Sequence, residues 1–585
     1  MHKITISTKI FYFRKLPLHQ LLDLMEDNDI KENATVYLLP PEEQNIETDE
    51  DSDRSDDEHE GDINHLGQRL MKTVCELQTP ESDWESEDDL PLSSFLENKT
   101  NYKKTNWVDE QLNTNLVTTC EDIVPPDELS CLSNPIDFFN LFFDDNVINN
   151  IVTETNKYSS QNNSALNVTR DEILTFLGGL MLSGYAKYPN KRLYWSKQCD
   201  VPTILSENIR LKRFESILRN LHLNDNTNYN SNDKLYKLRP LIDSLNKNFK
   251  KYGGMDENLS IDESMIPYYG KHHAKQFIKG KPIRFGFKCW AICTSNGYMI
   301  AFYIYTGKNE ASPYREFGLG GEVVLELLNL AEVPPQKGFK IFFDNYFTSV
   351  KLLRHLSDEG YCASGTVRQG RMDNCPLPDK KYWNKQKRGT AVFKTSKQVT
   401  IAQWKDNKVV SGASNYEAPA TGYTNRWCRL AKAKVPMPQP LIFSNYNKGM
   451  GGVDKMDGLV AAYRTRMRQR KWWWPIFVYM FDVSVVNAWL LMRKIKPDLP
   501  CCANLLTFRR NLATALLTTY ETKSTQGKVV AKPITSTRCD GRDHFVLYNQ
   551  TERRCAYCKK KAKFICQKCQ IGLHPKDCFI NFHRM

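Results

Sequence analysis

A mixed α/β protein of several domains is the fold this sequence predicts, and three observations carry the prediction. Helical periodicity fills the region after residue 130, beginning with a capped amphipathic stretch at Thr169. From Leu259 the pattern switches to short alternating strands interleaved with helices, the signature of a mixed sheet. Paired Cys-x-x-Cys motifs then crowd the carboxy-terminal end. At 585 residues the chain exceeds what one hydrophobic core organises, and 41% apolar residues suffice for at least one large core.

Taken in order, the elements begin with a region, 1–125, dominated by acidic runs at Glu47–Asp62 and Glu81–Asp89. Such composition cannot bury enough apolar surface to order itself, so this region is expected to be largely disordered, save one short helix at Leu18–Met25. The segment 130–255 is expected to form a helical domain. Thr169 and Glu172 make a capping box, and Ile173, Leu174, Phe176, Leu177, Leu180 and Met181 then recur at three and four. Further helices are expected at Glu207–Leu221 and Leu235–Phe249.

Residues 256–368 read as the first part of an α/β core. A short strand, Leu259–Ile261, delivers Asp262; two strands, Phe285–Cys293 and Tyr298–Tyr305, flank a Ser295-Asn296-Gly297 turn. Helix Val323–Leu330, strand Phe339–Phe343, helix Ser349–Leu356 and strand Ala363–Val367 follow. Residues 369–440 look like an inserted β-rich subdomain, 441–520 return to helices, 521–540 form a linker, and 541–585 hold the cysteine cluster. Trp472–Met492 is apolar enough to suggest a membrane span, but Pro475, Asp482 and Asn487 interrupt it, so a buried helix is expected and no membrane partner. The amino terminus lacks the unbroken apolar run and cleavage site of a secretory signal, which leads to the expectation of a soluble, intracellular protein.

The formal charge of +12 understates the basic surface, because much of the acid sits at the amino-terminal end. A polyanionic partner fits, although charge alone raises that expectation only modestly. The 17 cysteines are mostly single, with a cluster at the end, a pattern of metal ligands and not of a disulfide framework.

Three acidic residues stand where a strand or helix would end: Asp262, Asp344 after Ile341-Phe342-Phe343, and Asp454 in Met450-Gly451-Gly452-Val453-Asp454. Taken singly, each is more often a helix or turn cap. Converging, they would present a hard cation to phosphates, since Mg²⁺ takes oxygen ligands and keeps several waters.

The residues around each Asp resemble the piggyBac transposase family. Ile261-Asp262-Glu263-Ser264-Met265 with Tyr269-Gly270 and Lys279–Gly286 resembles its first catalytic block. Phe343-Asp344-Asn345-Tyr346-Phe347-Thr348-Ser349 resembles the second, and Tyr446-Asn447 through Asp454-Lys455-Met456-Asp457 the third, with Trp474-Pro475 and Asn487-Ala488-Trp489 downstream. The blocks run in order from about Asn134 onward. The resemblance implies an RNase H-like catalytic core of the DDD type in which Asp262, Asp344 and Asp454 bind Mg²⁺ or Mn²⁺, with Asp457 as a further acidic residue. It also implies cut-and-paste excision through hairpinned ends, insertion at TTAA tetranucleotides, a homodimer on double-stranded DNA and a nuclear location. The segment 130–255 becomes a dimerisation and DNA-binding domain on the same ground.

Basic residues follow the first Asp closely: Lys271, Lys275, Lys279, Lys281, Arg284 and Lys288 are candidates to face phosphates, with salt-sensitive binding as the consequence. His272 and His273 read as phosphate contacts or surface residues. Arg464, Arg466, Arg468, Arg470 and Lys471 precede Trp472-Trp473-Trp474, a cation-and-stacking mixture suited to an unpaired base. Two of these tryptophans are assigned to the core; Trp474, beside Pro475, resembles a family aromatic near the hairpinned end and is the stacking candidate.

Cys555-x-x-Cys558 and Cys566-x-x-Cys569, followed by His574, Cys578 and His583, have structural zinc spacings. These are one ligand short of two tetrahedral sites, and His544 supplies an eighth. A cross-brace zinc finger follows, with Cys555, Cys558, His574 and Cys578 on one Zn²⁺ and Cys566, Cys569, His583 and His544 on the other. The module resembles the family's cysteine-rich domain, which recognises transposon ends; a RING- or PHD-like protein-binding role is the rival. Three readings of the whole remain: an active DNA transposase, a domesticated DNA-binding or chromatin protein without transposition, and an RNase H-like nuclease outside transposition.

Overall fold

The computed structural model describes residues 114–519 apart from 229, 231, 271, 279–282, 308–311 and 429–431, then 544–584, together with 106–108, 112 and five short strands nearer the amino terminus. Two of those strands, Lys3–Ile6 and Lys9–Tyr12, pair antiparallel, and Leu16–Pro17, Val74–Gln78 and Thr35–Leu38 form a small sheet. Local pairing is thus present where acidic composition predicts little order. The helix expected at Leu18–Met25, both acidic runs and the linker 521–540 lie outside the described residues.

Helical periodicity becomes α1 (Pro135–Asn140), α2 (Asp145–Gln161), α3 (Arg170–Tyr185), α4 (Leu211–Asn220) and α5 (Arg239–Gly253). The Thr169 capping box forms as expected, with Glu172 N–H donating to Thr169 Oγ1 at 3.3 Å and Thr169 N–H to Glu172 Oε2 at 3.0 Å. The helix expected over Glu207–Leu221 is two pieces, Ile204–Asn208 and α4. Ile209 between them is extended, and its carbonyl accepts the Trp195 indole N–H at 2.7 Å.

Strands take over at β1 (Asn258–Pro267), β2 (Lys275–Phe277), β3 (Phe285–Thr294), β4 (Met299–Ile304), β5 (Lys340–Phe343), β6 (Cys362–Thr366), β7 (Ala391–Thr395), β8 (Thr400–Lys405) and β9 (Val409–Ser414). Helices α6 (Gly318–Leu330) and α7 (Val350–Asp358) lie between β4 and β5 and between β5 and β6. All nine strands form one sheet in the order β7-β8-β9-β6-β5-β1-β3-β2, with β4 pairing on β3. Within it β1, β5 and β6 are mutually parallel in sequence of pairing, while β3 runs antiparallel to β1 and β4 to β3. That is the arrangement expected of an RNase H-like core.

Two expectations change. β1 continues to Pro267, paired with β3 from Leu259 to Pro267, so Asp262 sits inside a strand and not at its end. The segment 369–440 is not a separate β subdomain throughout. β9 pairs antiparallel with β6, so β7 to β9 widen the main sheet, and only the hairpin β10 (Thr421–Cys428) and β11 (Ala433–Pro440) stands as its own two-stranded sheet.

Helices satisfy the outer strand's backbone. Asn246 accepts from Phe302 N–H and donates to its carbonyl, both at 2.9 Å, and Asn487 does the same to Met299 at 3.0 and 2.9 Å. A free edge of β4 is thereby closed by side-chain amides. Asn487 belongs to α10 (Trp474–Ile495), which follows α8 (Leu441–Gly449) and α9 (Gly452–Ala462) and precedes α11 (Leu505–Thr518). α10 is long and apolar enough to cross a membrane, yet 89% of its apolar window is buried inside the protein. Its Asp482 forms a fully buried ion pair with Arg509, 2.5 Å apart, and accepts from Thr465 N–H at 3.0 Å.

The chain divides into two compact units, residues 1–167 with 220–512, and 168–219 with 513–585. The first holds the sheet. The helical stretch 130–255 is thereby shared: α1, α2 and α5 belong to the sheet unit, and α3 with most of α4 to the other. At the carboxy terminus β12 (Val546–Arg554) pairs antiparallel with β13 (Lys561–Cys566), and α12 (Asp577–Arg584) follows.

Candidate active site and metal-binding module

The parallel register of β1 and β5 aligns two of the acidic residues. Phe343 is level with Ile261, so one residue further on Asp344 comes level with Asp262 on the neighbouring strand. Adjacent strands are about 4.8 Å apart, close enough for two carboxylates to share an ion. Each is held by main chain: Glu263 N–H donates to Asp262 Oδ1 at 2.8 Å, and Tyr346 N–H to Asp344 Oδ1 at 2.8 Å. Thr348 Oγ1 donates to the Asp344 carbonyl at 2.7 Å, which fixes the turn leaving β5.

The third acid arrives on α9, and two glycines explain how closely. Gly451 caps the helix with φ at 100°, a left-handed conformation that side chains resist. A Cβ on Gly452 would lie 2.3 Å from the Thr294 carbonyl oxygen and 2.5 Å from Ser260 Oγ. Only glycine lets α9 press this far onto β1 and β3. Ser260, Asp262 and Ser264 share one face of β1 by alternation, and Asp457 on α9 accepts from Ser264 Oγ at 2.6 Å. Ser264 Oγ in turn accepts from the buried Tyr479 hydroxyl at 2.9 Å. Asp454, in the first turn of α9, stays exposed.

Tyr446, on α8, lies within electrostatic reach of all three acids. Its phenol is pushed up to about 12, first by burial and then by the negative charges of Asp344, Asp262 and Asp454, against a hydrogen bond with Thr366. Among the described residues the groups of three or more potential metal ligands that lie close together are the two cysteine-histidine clusters at the carboxy terminus, so the three carboxylates share one region without their oxygens being drawn tightly together. Their hard oxygen donors suit a divalent cation of the Mg²⁺ class. Tyr446, Ser264 and Tyr479 were not singled out by sequence reasoning; the Tyr446-Asn447 pair that opens the third block was the available signal.

The basic and aromatic candidates differ in their burial and surroundings. Arg284 and Arg468 are exposed. Lys275 is half-buried, with its pKa lowered by burial and its Nζ 3.1 Å from the Gly270 carbonyl. Lys271, Lys279 and Lys281 lie outside the described residues. Lys471 is spent within the fold: its Nζ donates to the Leu221 carbonyl at 3.1 Å and lies over the Tyr158 and Trp473 rings.

Trp474 is not available for stacking. It is 3% exposed, packs on Phe477, and its indole N–H donates to the Met467 carbonyl at 2.9 Å. Trp472 is the half-buried member of the three, stacked on His272 with ring centroids 4.2 Å apart. His272 is no surface residue either: it is 3% exposed, and burial, with the charges of His273 and Lys234, lowers its pKa to about 3. A histidine wedged between rings stays neutral.

At the carboxy terminus the ligand atoms of Cys555, Cys558, His574 and Cys578 lie within 4.8 Å of one another, as do those of His544, Cys566, Cys569 and His583. This is the partition the spacing predicts. Cys558 Sγ and His574 Nδ1 are 3.4 Å apart, and Cys569 Sγ and His583 Nε2 3.5 Å. The far ring nitrogens have carbonyl partners, Lys561 O for His574 Nε2 at 3.0 Å and Phe579 O for His583 Nδ1 at 2.8 Å. Those bonds place the protons away from the sulfurs and leave the inward nitrogens as acceptors, the orientation a metal-bound imidazole takes. Burial alone would raise the Cys555 thiol, but backbone amides of Cys558, His574 and Tyr557 bring it down to about 6. Both clusters could hold Zn²⁺, by donor chemistry and by geometry.

Comparison with known proteins agrees with this architecture. The family model described as "Transposase IS4" matches residues 134–489. The human PiggyBac transposable element-derived protein 3 is 34% identical over 597 residues, spanning 97% of this chain and 99% of that protein. Human PiggyBac transposable element-derived protein 2 is 34% identical over 558 residues, spanning 94% and 93%. A cryo-EM structure of the piggyBac transposase synaptic complex with hairpin DNA covers 77% of this chain and 98% of its own, with a TM-score of 0.60 at 20% identity.

Proposed function

Because the chain belongs to the piggyBac transposable element-derived protein family, we propose that it is a metal-dependent DNA transposase that excises and integrates DNA at TTAA sites. The observation that supports this reading is the parallel register that sets Asp344 level with Asp262, with Asp454 on a helix seated against the same strand through Gly452. Asp262, Asp344 and Asp454 would hold Mg²⁺ or Mn²⁺, which would neutralise phosphate charge and activate the attacking oxygen. The protein's own part is positional. Main-chain amides orient Asp262 and Asp344, the exposed first turn of α9 presents Asp454 to substrate, and the Ser264 bond holds Asp457.

Exposed Arg284 and Arg468, with Lys275, would contact backbone phosphates of double-stranded transposon ends, and the two zinc-type clusters would stabilise a module that recognises those ends. A homodimer acting in the nucleus accords with such a substrate. The solved relative is a synaptic complex with hairpin DNA, which supports the same substrate for this fold.

The second reading, a domesticated DNA-binding or chromatin protein without transposition, is favoured by one observation. Relatives at 34% identity over nearly the whole chain are named as transposable element-derived proteins. Plasmid excision in cells separates the two. A reporter interrupted by the element's own flanking DNA should be restored to TTAA by wild type and not by Asp344→Ala. No excision from a protein that still binds those ends would transfer the conclusion to the domesticated reading.

A further inference from the structure

The hairpin β10–β11 exposes aromatic rings that the proposed chemistry does not use. Tyr423 is 79% and Trp427 59% exposed, an unusual state for rings of that size. They lie on one face of β10 by alternation, with Asn425 between them. Their partners across the ladder are Pro438, Pro436 and Lys434, so the exposed face carries no aliphatic core residue. The opposite face is the one that anchors the hairpin. Met437 packs there with Trp404 and Phe443, and the Arg426 guanidinium lies 5.7 Å over the Trp404 ring. The rings are thus held out on a supported ribbon.

Charge identifies the occupant. Thr421–Pro440 contains Arg426, Arg429, Lys432 and Lys434 and no acidic residue. Arg388 Nη1 is bonded to the Trp427 carbonyl at 3.2 Å, and Arg388 and Arg426 both pair with Asp406, so the cations left to the exposed face are Lys432 and Lys434, with the lysines of the neighbouring segment Lys380–Arg388 beside them. A second copy of the same face would bring like charge against like charge. Exposed rings flanked by cations suit unpaired bases, each ring taking a base face while lysines track phosphates. Four residues of strand separate the two rings by about 13 Å, too far for one base to bridge, so two bases are engaged.

We propose that the β10–β11 hairpin is a second nucleic-acid surface, which binds unpaired DNA by stacking bases on Tyr423 and Trp427. This deepens the transposase reading and rests on it, because excision exposes unpaired ends that a duplex-binding surface alone would not retain.

The test uses the full chain and a labelled oligonucleotide, single-stranded or fully paired, with binding followed by fluorescence anisotropy. Stacking is worth about 1–3 kcal/mol per base, so Tyr423→Ala with Trp427→Ala should weaken single-strand binding at least tenfold. Duplex binding should change less than twofold, and Tyr423→Phe with Trp427→Phe should restore the single-strand affinity. An equal loss on both DNAs, or no loss on either, would overturn the proposal, as would a double-alanine variant whose only defect is altered oligomeric state. Wild-type protein that binds no DNA at all would instead remove the transposase reading on which it rests. Unchanged thermal unfolding of the double variant is expected, since both rings face away from the core.

Discussion

The acidic site on the sheet and the cysteine-histidine module both gather side chains that repel one another or compete for protons, yet the surrounding fold holds them differently. Asp262 and Asp344 are brought level by strand register, and Asp454 stands in the exposed first turn of a helix that Gly452 lets approach the sheet. Around them lies a large apolar sheet core, so the site's shape does not depend on what it binds. In the terminal module the ligands are the core. The buried cluster consists of Cys555, Ala562, Cys566, Cys569, Ile571 and Leu573, and half of those residues are metal-type ligands. Metal should therefore act on chemistry in one region and on folding in the other.

The largest effect should come from stripping zinc. Structural Zn²⁺ in such modules contributes on the order of 10–16 kcal/mol, more than this small cluster can replace. Chelation, or Cys566→Ser, should abolish hydrogen-exchange protection of residues 544–584 while leaving β1, β3 and β5 protected. Elemental analysis should find about two zinc ions per chain. Persisting protection in the module after metal removal would erase the contrast.

On the sheet the reverse pattern is expected. Asp262→Asn should abolish Mg²⁺-dependent cleavage with unchanged protection of the strands and nearly unchanged DNA binding. The substitution keeps shape and removes charge, so parallel loss of binding and folding would make Asp262 a structural residue.

Legibility followed the same divide. The metal-ligand partition of the module was readable because Cys-x-x-Cys spacing and a short chain leave few ways to close two tetrahedra. On the sheet the strands carrying the acids were readable but not their extent or pairing. Asp262 looked like a strand end because polar Glu263 and Ser264 follow it; only the pairing with β3 shows the strand continuing. Resemblance to a family aromatic singles out Trp474, but it does not say which of three adjacent tryptophans turns inward, and the bond to Met467 decides that. The insertion's strands joined the main sheet through β6–β9 pairing, a contact between residues far apart in sequence that no local pattern announces.

Intermediate in size is Gly452→Ala. A methyl 2.3 Å from the Thr294 carbonyl must push α9 off the sheet, and overpacking of this kind costs about 1–3 kcal/mol. Cleavage should fall further than stability does, since the displacement carries Asp454 away from Asp262. Equal losses, or a fall in stability alone, would show that the approach of α9 matters to folding and not to the site.

The smallest effect expected is at Ser264, where the two kinds of organisation meet in one hydroxyl. Its Oγ donates to Asp457 at 2.6 Å and accepts from the Tyr479 hydroxyl at 2.9 Å, so replacing Ser264 alone would strand a buried phenol as well as free a carboxylate. Ser264→Ala combined with Tyr479→Phe removes both hydroxyls together and should cost about 1 kcal/mol in unfolding by denaturant. Cleavage by the double variant should slow by less than tenfold, with the metal dependence preserved, because Asp457 loses the Ser264 hydrogen bond but not its charge. If the rate instead collapses as far as with Asp262→Asn, Asp457 belongs among the metal-holding acids, and the sheet site is organised by its ligands to a degree that narrows the contrast with the terminal module.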